Sequence, residues 1–108
     1  MSQTIIHQPR VAWDGARVFV AATMSAGYPW LSERVGRQLG AGYQRRLAET
    51  RDLLLSDARP DATHAEARIW RVRLEDLLRH RPELTGDLAA LVRETTERLS
   101  ARSWTTRP

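Results

Sequence analysis

The sequence contains no cysteine. This absence excludes a disulfide framework, a cysteine-based zinc site and a thiol nucleophile. Lysine is missing too, because all 17 basic residues are arginine, a bias that we attribute to the codons of a GC-rich genome. The glycine-rich segment 36–42 therefore lacks the Gly-Lys-Ser or Gly-Lys-Thr of a phosphate-binding loop. We expect it to form a helix end and a turn instead.

Long apolar runs are also missing. The most apolar stretch, residues 18–26, is shorter than the about 20 apolar residues that cross a bilayer. Asp14 and Arg17 before it and Pro29 after it prevent any extension. Residues 1–7 lack the basic start, apolar stretch and small-residue cleavage site of an export signal. We therefore expect a cytoplasmic protein without a membrane span, in which residues 18–26 form part of a buried helix.

Residues that carry chemistry are few and scattered. The three histidines are His7, His64 and His80, and none stands beside an evident nucleophile. His64 and Glu66 match the His-x-Glu of zinc deaminases, but the paired cysteines of those sites cannot exist here. Catalysis by a nucleophile needs a base within hydrogen-bond reach. The sequence therefore predicts a protein that is not an enzyme and has no catalytic residue, bound metal or cofactor.

The 108 residues are enough for one domain with one hydrophobic core. Residues 1–12 show no helical period and contain Pro9, so we predict an irregular N-terminal arm. Residues 13–103 are predicted to form a single helical-bundle domain. Residues 104–108 are predicted to be a frayed tail.

Turn residues divide the domain into helical segments. Proline at a first helical turn and glycine after a last turn mark several boundaries. Thr63 and Glu66 fit a capping box at the start of the fourth helix. The predicted helices are 14–26, a second from Pro29 to the glycines at 40–42, a third from Tyr43 to before Arg59, a fourth from Thr63 to Arg81, and a fifth from Pro82.

Apolar residues recur every three to four positions in the last two helices, which is typical of buried helix faces. Almost no linker separates these helices, so they should form a compact antiparallel hairpin or a sharply kinked pair. We expect the hairpin, with the first helix covering its exposed side. The predicted fold class is all-α, a small bundle of four to five amphipathic helices. In the hairpin we expect one row to pack against the other: Trp70, Leu74, Leu77 and Leu78 against Leu84, Leu88, Leu91, Val92 and Leu99.

A protein interface is our leading functional interpretation. Five short helices, one of them apolar nearly all round, offer more apolar faces than a small monomer can cover. Tryptophans near segment ends are difficult to bury fully and often mark interfaces. We therefore predict a homo-oligomer or a helical protein partner, bound through Trp13, Phe19, Met24 and Trp30.

Nucleic-acid binding is the alternative interpretation, because the formal net charge is +4. The arginines that would carry it are Arg45, Arg46, Arg68, Arg71 and Arg79. Glutamates stand at helical spacing among many of the arginines, which indicates self-paired solvent faces rather than an unopposed cationic stripe. Filter binding at two salt concentrations separates the two interpretations, because binding to phosphates weakens steeply with salt.

Residues 43–100 resemble a group of small, mostly uncharacterised all-helical proteins of GC-rich actinobacteria. The resemblance implies a non-enzymatic accessory or interaction protein of the kind encoded beside signalling or defence genes, and it carries over no catalytic residue. Members of the group often have a glycine-rich tail, which this sequence lacks. The residues that carry the resemblance are the segment 46–51, then Trp70, Leu74, Leu77 and Leu78, then Pro82, Glu83, Leu84, Leu88, Leu91 and Val92.

Overall fold

A computed structural model describes residues 8–57 and 59–105 of the chain, and within them every regular element is helical. The all-α bundle predicted from the sequence is thereby confirmed. The elements are α1 (Gln8–Thr23), α2 (Tyr28–Gln38), α3 (Ala41–Ser56), α4 (Ala62–His80), a short 3₁₀ turn (Pro82–Leu84) and α5 (Thr85–Thr105).

Both ends of the bundle contain more helix than the sequence suggested. Helix α1 begins at Gln8, so residues 8–12 are helical rather than irregular. Pro9 fits this start because the first helical turn needs no amide donor there, and Val11 and Ala12 are buried. Helix α5 likewise continues to Thr105, into the predicted tail. Residues 1–7 of the predicted arm and residues 106–108 of the predicted tail lie outside the described residues.

Helix α1 lies in the middle of the bundle, between α4 and α5. It packs extensively against both helices, whereas the backbones of α4 and α5 approach each other at few positions. A Cβ added to Gly15 would lie 3.0 Å from Cδ1 of Leu74 in α4 and 3.3 Å from Cγ2 of Val92 in α5. Helix α1 therefore packs more deeply against the predicted α4–α5 hairpin than a cover over its exposed side would. Gly15, Ala12 and Ala16 are small enough for α1 to insert between the two helices.

One hydrophobic core contains all residues predicted for the hairpin rows, with Leu99 at its partly buried edge. Helix α1 adds Phe19 and Val20 to this core, and α2 adds Leu31 and Val35. Trp70 is fully buried, and its ring meets that of Phe19 edge to face at 5.8 Å between centroids. Leu47 of α3 is also fully buried in this core, so the core joins all five α-helices around the side chains that the leucine spacing identified.

A buried chain of hydrogen bonds connects α3 to α4. The Trp70 indole N–H donates to Thr50 Oγ1 at 2.8 Å, and the Thr50 hydroxyl donates to Glu66 Oε1 at 2.7 Å. The predicted capping box of Thr63 and Glu66 is therefore wrong. Helix α4 begins at Ala62, so Thr63 lies inside it, and the N-cap residue Asp61 makes no side-chain capping bond. Glu66 satisfies a buried hydroxyl of the neighbouring helix instead.

The turn between α2 and α3 depends on Gly40, the N-cap residue of α3. Its φ of 114° and ψ of 161° lie in a region that is essentially restricted to glycine. Gly40→Ala is expected to lower the free energy of unfolding by about 1–3 kcal/mol. Since no described atom lies within 4 Å of the added methyl group, the cost comes from the backbone alone.

Gly42→Ala is the matched control for this prediction. Gly42 lies in the first turn of α3, and its added methyl group also meets no described atom within 4 Å. Alanine favours helix, so this variant should be neutral or more stable by up to about 1 kcal/mol. Chemical denaturation measures both variants, and equal effects would contradict the backbone assignment at Gly40.

Candidate functional site

The residues predicted to form an interface do not share one surface. Phe19 is completely buried against Trp70, so it cannot contact a partner, and its place among the predicted interface residues is a correction. The physical reason is that α1 contacts all four other α-helices, and its most apolar side points into the core. Trp13 in α1 is 39% exposed, and Met24, just after α1, is 50% exposed. These two side chains lie about three helical turns apart, and Trp30 is half-buried.

Trp13 lies in an open groove of about 720 Å³ between α1 and α4. The Arg71 guanidinium stacks over its ring at 5.3 Å and lies 3.9 Å from Glu75. Arg10, Asp14 and Arg17 complete the mixed rim of this groove. Cations and carboxylates alternate here, so the groove shows no preference for a ligand of one charge.

Trp30 lies at the contact between α2 and α5. Arg34 of α2 and Arg98 of α5 both stack on its ring, at 5.1 and 4.1 Å. Arg34 also forms a salt bridge of 2.8 Å with Glu94 of α5. A ring held between two guanidinium groups already has its partners within the chain, so Trp30 has a structural role in this bundle.

The five arginines predicted for nucleic-acid contact are distributed around the bundle. Arg45 and Arg46 are exposed on α3, and Arg68 is exposed on α4. Arg71 faces the α1 groove, whereas Arg79 lies 3.5 Å from Asp76. Carboxylates therefore lie beside two of the five arginines, whereas a nucleic-acid backbone favours a cationic strip without opposing charges.

A sixth arginine, Arg73, is partly buried at the α3–α4 seam. It stacks over the Trp70 ring at 5.3 Å, and the Tyr43 hydroxyl reaches its backbone carbonyl at 3.5 Å. Burial, followed by the nearby charge of Arg46, lowers the pKa of Arg73 below its usual value. Burial likewise raises the pKa of Tyr43, with Asp76 as the next contributor. Both side chains make their contacts within the bundle, which indicates a structural role for the seam.

Aliphatic side chains are exposed on the surface of α4 that no other described helix covers. Ile69 is 43% exposed and Val72 is 57% exposed, one helical turn apart. Contacts to α1 lie on one flank of α4, at Arg71, and contacts to α3 lie on the other flank, at Arg73. Val72 lies between these flanks and points outward. We call the surface formed by Arg68, Ile69, Val72 and Asp76 the α4 outer face.

The α4 outer face was not predicted from the sequence. Ile69 and Val72 are apolar, but neither belongs to the predicted core row of residues 70, 74, 77 and 78. That difference in position was the available signal, because residues that fall outside a helical stripe point away from the core. Among the residues whose exposure the structure describes, the other exposed large apolar side chains are Trp13, Met24, Leu53 and Leu55.

The polar side chains of the described residues show no catalytic arrangement. His64 and His80 are exposed, and His80 Nδ1 lies 2.9 Å from the Asp76 carbonyl oxygen one turn earlier in α4. Across residues 8–57 and 59–105, no group of three histidine or carboxylate side chains is close enough to hold a metal ion. No helix in this part of the chain is long and apolar enough to cross a membrane.

Comparison of the chain with protein families, curated proteins and solved structures gives no match. The geometry of the described residues is therefore the basis of any functional proposal. Among the surfaces described above, the α4 outer face combines exposed aliphatic side chains with accessible charges of both signs.

Proposed function

We propose that this chain is a cytoplasmic, non-enzymatic protein-interaction module that binds a helical protein surface through the α4 outer face. The observation that carries the proposal is the exposure of Ile69 and Val72 in the middle of a helix whose leucines are buried. Arg68 and Asp76 flank this aliphatic pair on the helix. An apolar centre with a polar rim is the usual anatomy of a protein interface.

The chemistry of this face defines the kind of partner that fits it. A helix that offers aliphatic side chains to Ile69 and Val72 would bury apolar area on both sides. A carboxylate opposite Arg68 and a cation opposite Asp76 would fix the register and exclude partners with the reverse pattern. The partner is therefore a helix with an apolar centre and charges of opposite sign at its two ends.

The resemblance of residues 43–100 to small actinobacterial helical proteins supports an accessory role in a bacterial signalling or defence system. We propose protein docking in preference to nucleic-acid binding, because the carboxylates of Glu75 and Asp76 lie beside Arg71 and Arg79 and offset the positive charge of α4. Protein docking uses the exposed aliphatic side chains, which phosphate binding would leave unexplained.

Photo-crosslinking in cells that encode the protein tests the proposal. A photoreactive phenylalanine analogue at Val72 is expected to give a discrete protein adduct, because that side chain lies at the centre of the face. The same analogue at Arg93, exposed on α5, is the matched control and should give none. The partner, identified by mass spectrometry and purified, should lose about tenfold or more affinity when Val72 is replaced by Asp. Equal crosslinking at both positions would contradict the proposed function.

A further inference from the structure

We infer that the occupant of the α4 outer face is a second copy of this chain, bound by antiparallel pairing of two α4 helices about a two-fold axis at Val72. The inference rests on the proposed function, since it names the partner of the same face. Its basis is the placement of Arg68 and Asp76 relative to Val72, together with the exposure of all these positions.

Helix geometry places the two charges symmetrically. Each residue of an α-helix advances by about 1.5 Å and turns by about 100°. Arg68 precedes Val72 by the same number of residues as Asp76 follows it. The two side chains therefore lie about 6 Å along the axis in opposite directions, and about 40° around the helix to opposite sides of Val72.

A two-fold axis that lies between the copies, beside Val72 and perpendicular to the row of residues 68, 72 and 76, converts this symmetry into complementarity. Rotation about this axis exchanges the two copies and reverses each position along the row, and the two helices then cross at about 50°, the angle at which rows of residues spaced by four pack together. Arg68 of one copy then faces Asp76 of the other, and the reciprocal pair forms on the opposite side. Val72 meets its own counterpart, with Ile69 beside it. One operation thus forms two ion pairs and one apolar contact.

Parallel pairing would instead place Arg68 beside Arg68 and Asp76 beside Asp76. Like-charge repulsion therefore selects the antiparallel arrangement.

Both charges are available for contacts between copies. Arg68 is exposed, and in the described part of the chain it makes no ion pair or hydrogen bond. The Asp76 side chain is 56% exposed, and its intrahelical contacts to Arg79 and His80 are long, at 3.5 Å each. Exposed pairs of this kind contribute little, so the Asp76 carboxylate can accept a stronger partner.

A contact made by one helix from each copy is small, which places it among weak, reversible interfaces. We expect a dissociation constant on the order of 100 µM. Sedimentation equilibrium of the full chain, measured up to about 1 mM, should therefore show a transition from monomer to dimer. A wild-type chain that stays monomeric over this range would overturn the inference.

Charge reversal provides the specific test. Arg68→Asp and Asp76→Arg should each weaken self-association by about tenfold or more, because every ion pair in the dimer becomes a like-charge pair. An equimolar mixture of the two variants should recover association, since a chain with carboxylates at both positions would face a chain with guanidinium groups at both. The double variant R68D/D76R should associate like the wild type. Arg93→Asp with Glu97→Arg on α5 is the matched control and should change nothing.

The outcomes separate this inference from the proposed function. Self-association that neither reversal weakens, or variants that do not recover when mixed, would overturn the inferred pairing. Crosslinking at Val72 to a different protein by a monomeric chain would overturn the second copy as occupant and leave the interaction module intact. Circular dichroism of each variant checks that these exposed substitutions preserve the helices.

Discussion

Trp70→Ala is expected to lower the free energy of unfolding by about 3–5 kcal/mol, the range for removing a large aromatic side chain from a core. Trp70 is completely buried, meets Phe19 edge to face and donates its indole N–H to Thr50. A domain of this size has a total stability of about 5–15 kcal/mol. Urea denaturation followed by the helical circular dichroism signal should therefore show a large loss of stability or an unfolded chain.

Trp13→Ala is the matched control, because it removes the same side chain from an exposed position. Trp13 is 39% exposed and stacks on Arg71, a contact that is worth about 0.5–1 kcal/mol at the surface. This variant should lose about 1 kcal/mol or less in the same denaturation experiment. Similar losses for both tryptophans would mean that Trp70 does not occupy the centre of the core.

Trp70→Phe separates ring packing from the hydrogen bond. Phenylalanine keeps an aromatic ring beside Phe19 but cannot donate to Thr50, whose hydroxyl still donates to Glu66. The hydrogen bond contributes about 1 kcal/mol, and the smaller ring adds a cavity cost. The stability of this variant should therefore fall between those of the wild type and Trp70→Ala.

Helix positions and core residues could be predicted from the sequence because both depend on local signals. Pro29 and Pro82 mark boundaries that the structure confirms to within a few residues. The leucine rows of α4 and α5 are buried as their spacing predicts. The start of α1 was placed too late, because Pro9 was interpreted as part of an irregular arm. Proline in a first helical turn is compatible with helix, as the boundary predicted at Pro29 already required.

The arrangement of the helices could not be predicted in the same way. Periodicity identifies which face of a helix is buried, but it does not identify the helix that covers it. Leu74 and Val92 fit a direct α4–α5 contact as well as the observed contacts with α1. The informative signal was Gly15, which lies among Ala12, Ala16 and Phe19 on the buried side of α1. A row of small residues permits a close approach of another helix. The sequence does not show which helix approaches, and the structure identifies α4 and α5.

The candidate surface was missed for a related physical reason. Trp13, Phe19, Met24 and Trp30 were selected as large apolar residues in or near the most apolar helix. That helix is enclosed by the other helices, and most of its apolar side chains are buried in the core. These buried side chains are therefore not available to a partner. Ile69 and Val72 belong to a more polar helix, where an exposed aliphatic pair is harder to distinguish from a core row. Exposure therefore had to be measured in the structure.

Helix α1 approaches both α4 and α5 closely at Gly15. Gly15→Val should lower the free energy of unfolding by about 1–3 kcal/mol, the cost of overpacking a close interior contact. The added Cβ would lie 3.0 Å from Leu74 Cδ1 and 3.3 Å from Val92 Cγ2, and its two methyl groups need further space. Valine favours helix slightly more than glycine does, so helix propensity cannot explain a loss of stability.

Gly86→Val is the matched control for this substitution. Gly86 lies at the start of α5, and no described atom is within 4 Å of its added Cβ. The same chemical change should therefore leave stability within about 0.5 kcal/mol of the wild type. Chemical denaturation of the two valine variants compares a crowded helix position with an open one, and equal effects would contradict a close approach at Gly15.

The double variant Gly15→Val with Leu74→Ala tests whether the two helices meet at this point. Leu74→Ala alone removes a fully buried side chain and should cost about 2–5 kcal/mol, partly through the cavity that it leaves. In the double variant the valine methyl groups would occupy some of that cavity. The combined loss should therefore be smaller than the sum of the single losses by about 1 kcal/mol or more, because contacting residues are not additive. Strictly additive losses would indicate that Gly15 and Leu74 do not touch. That result would contradict the close approach of α1 to α4.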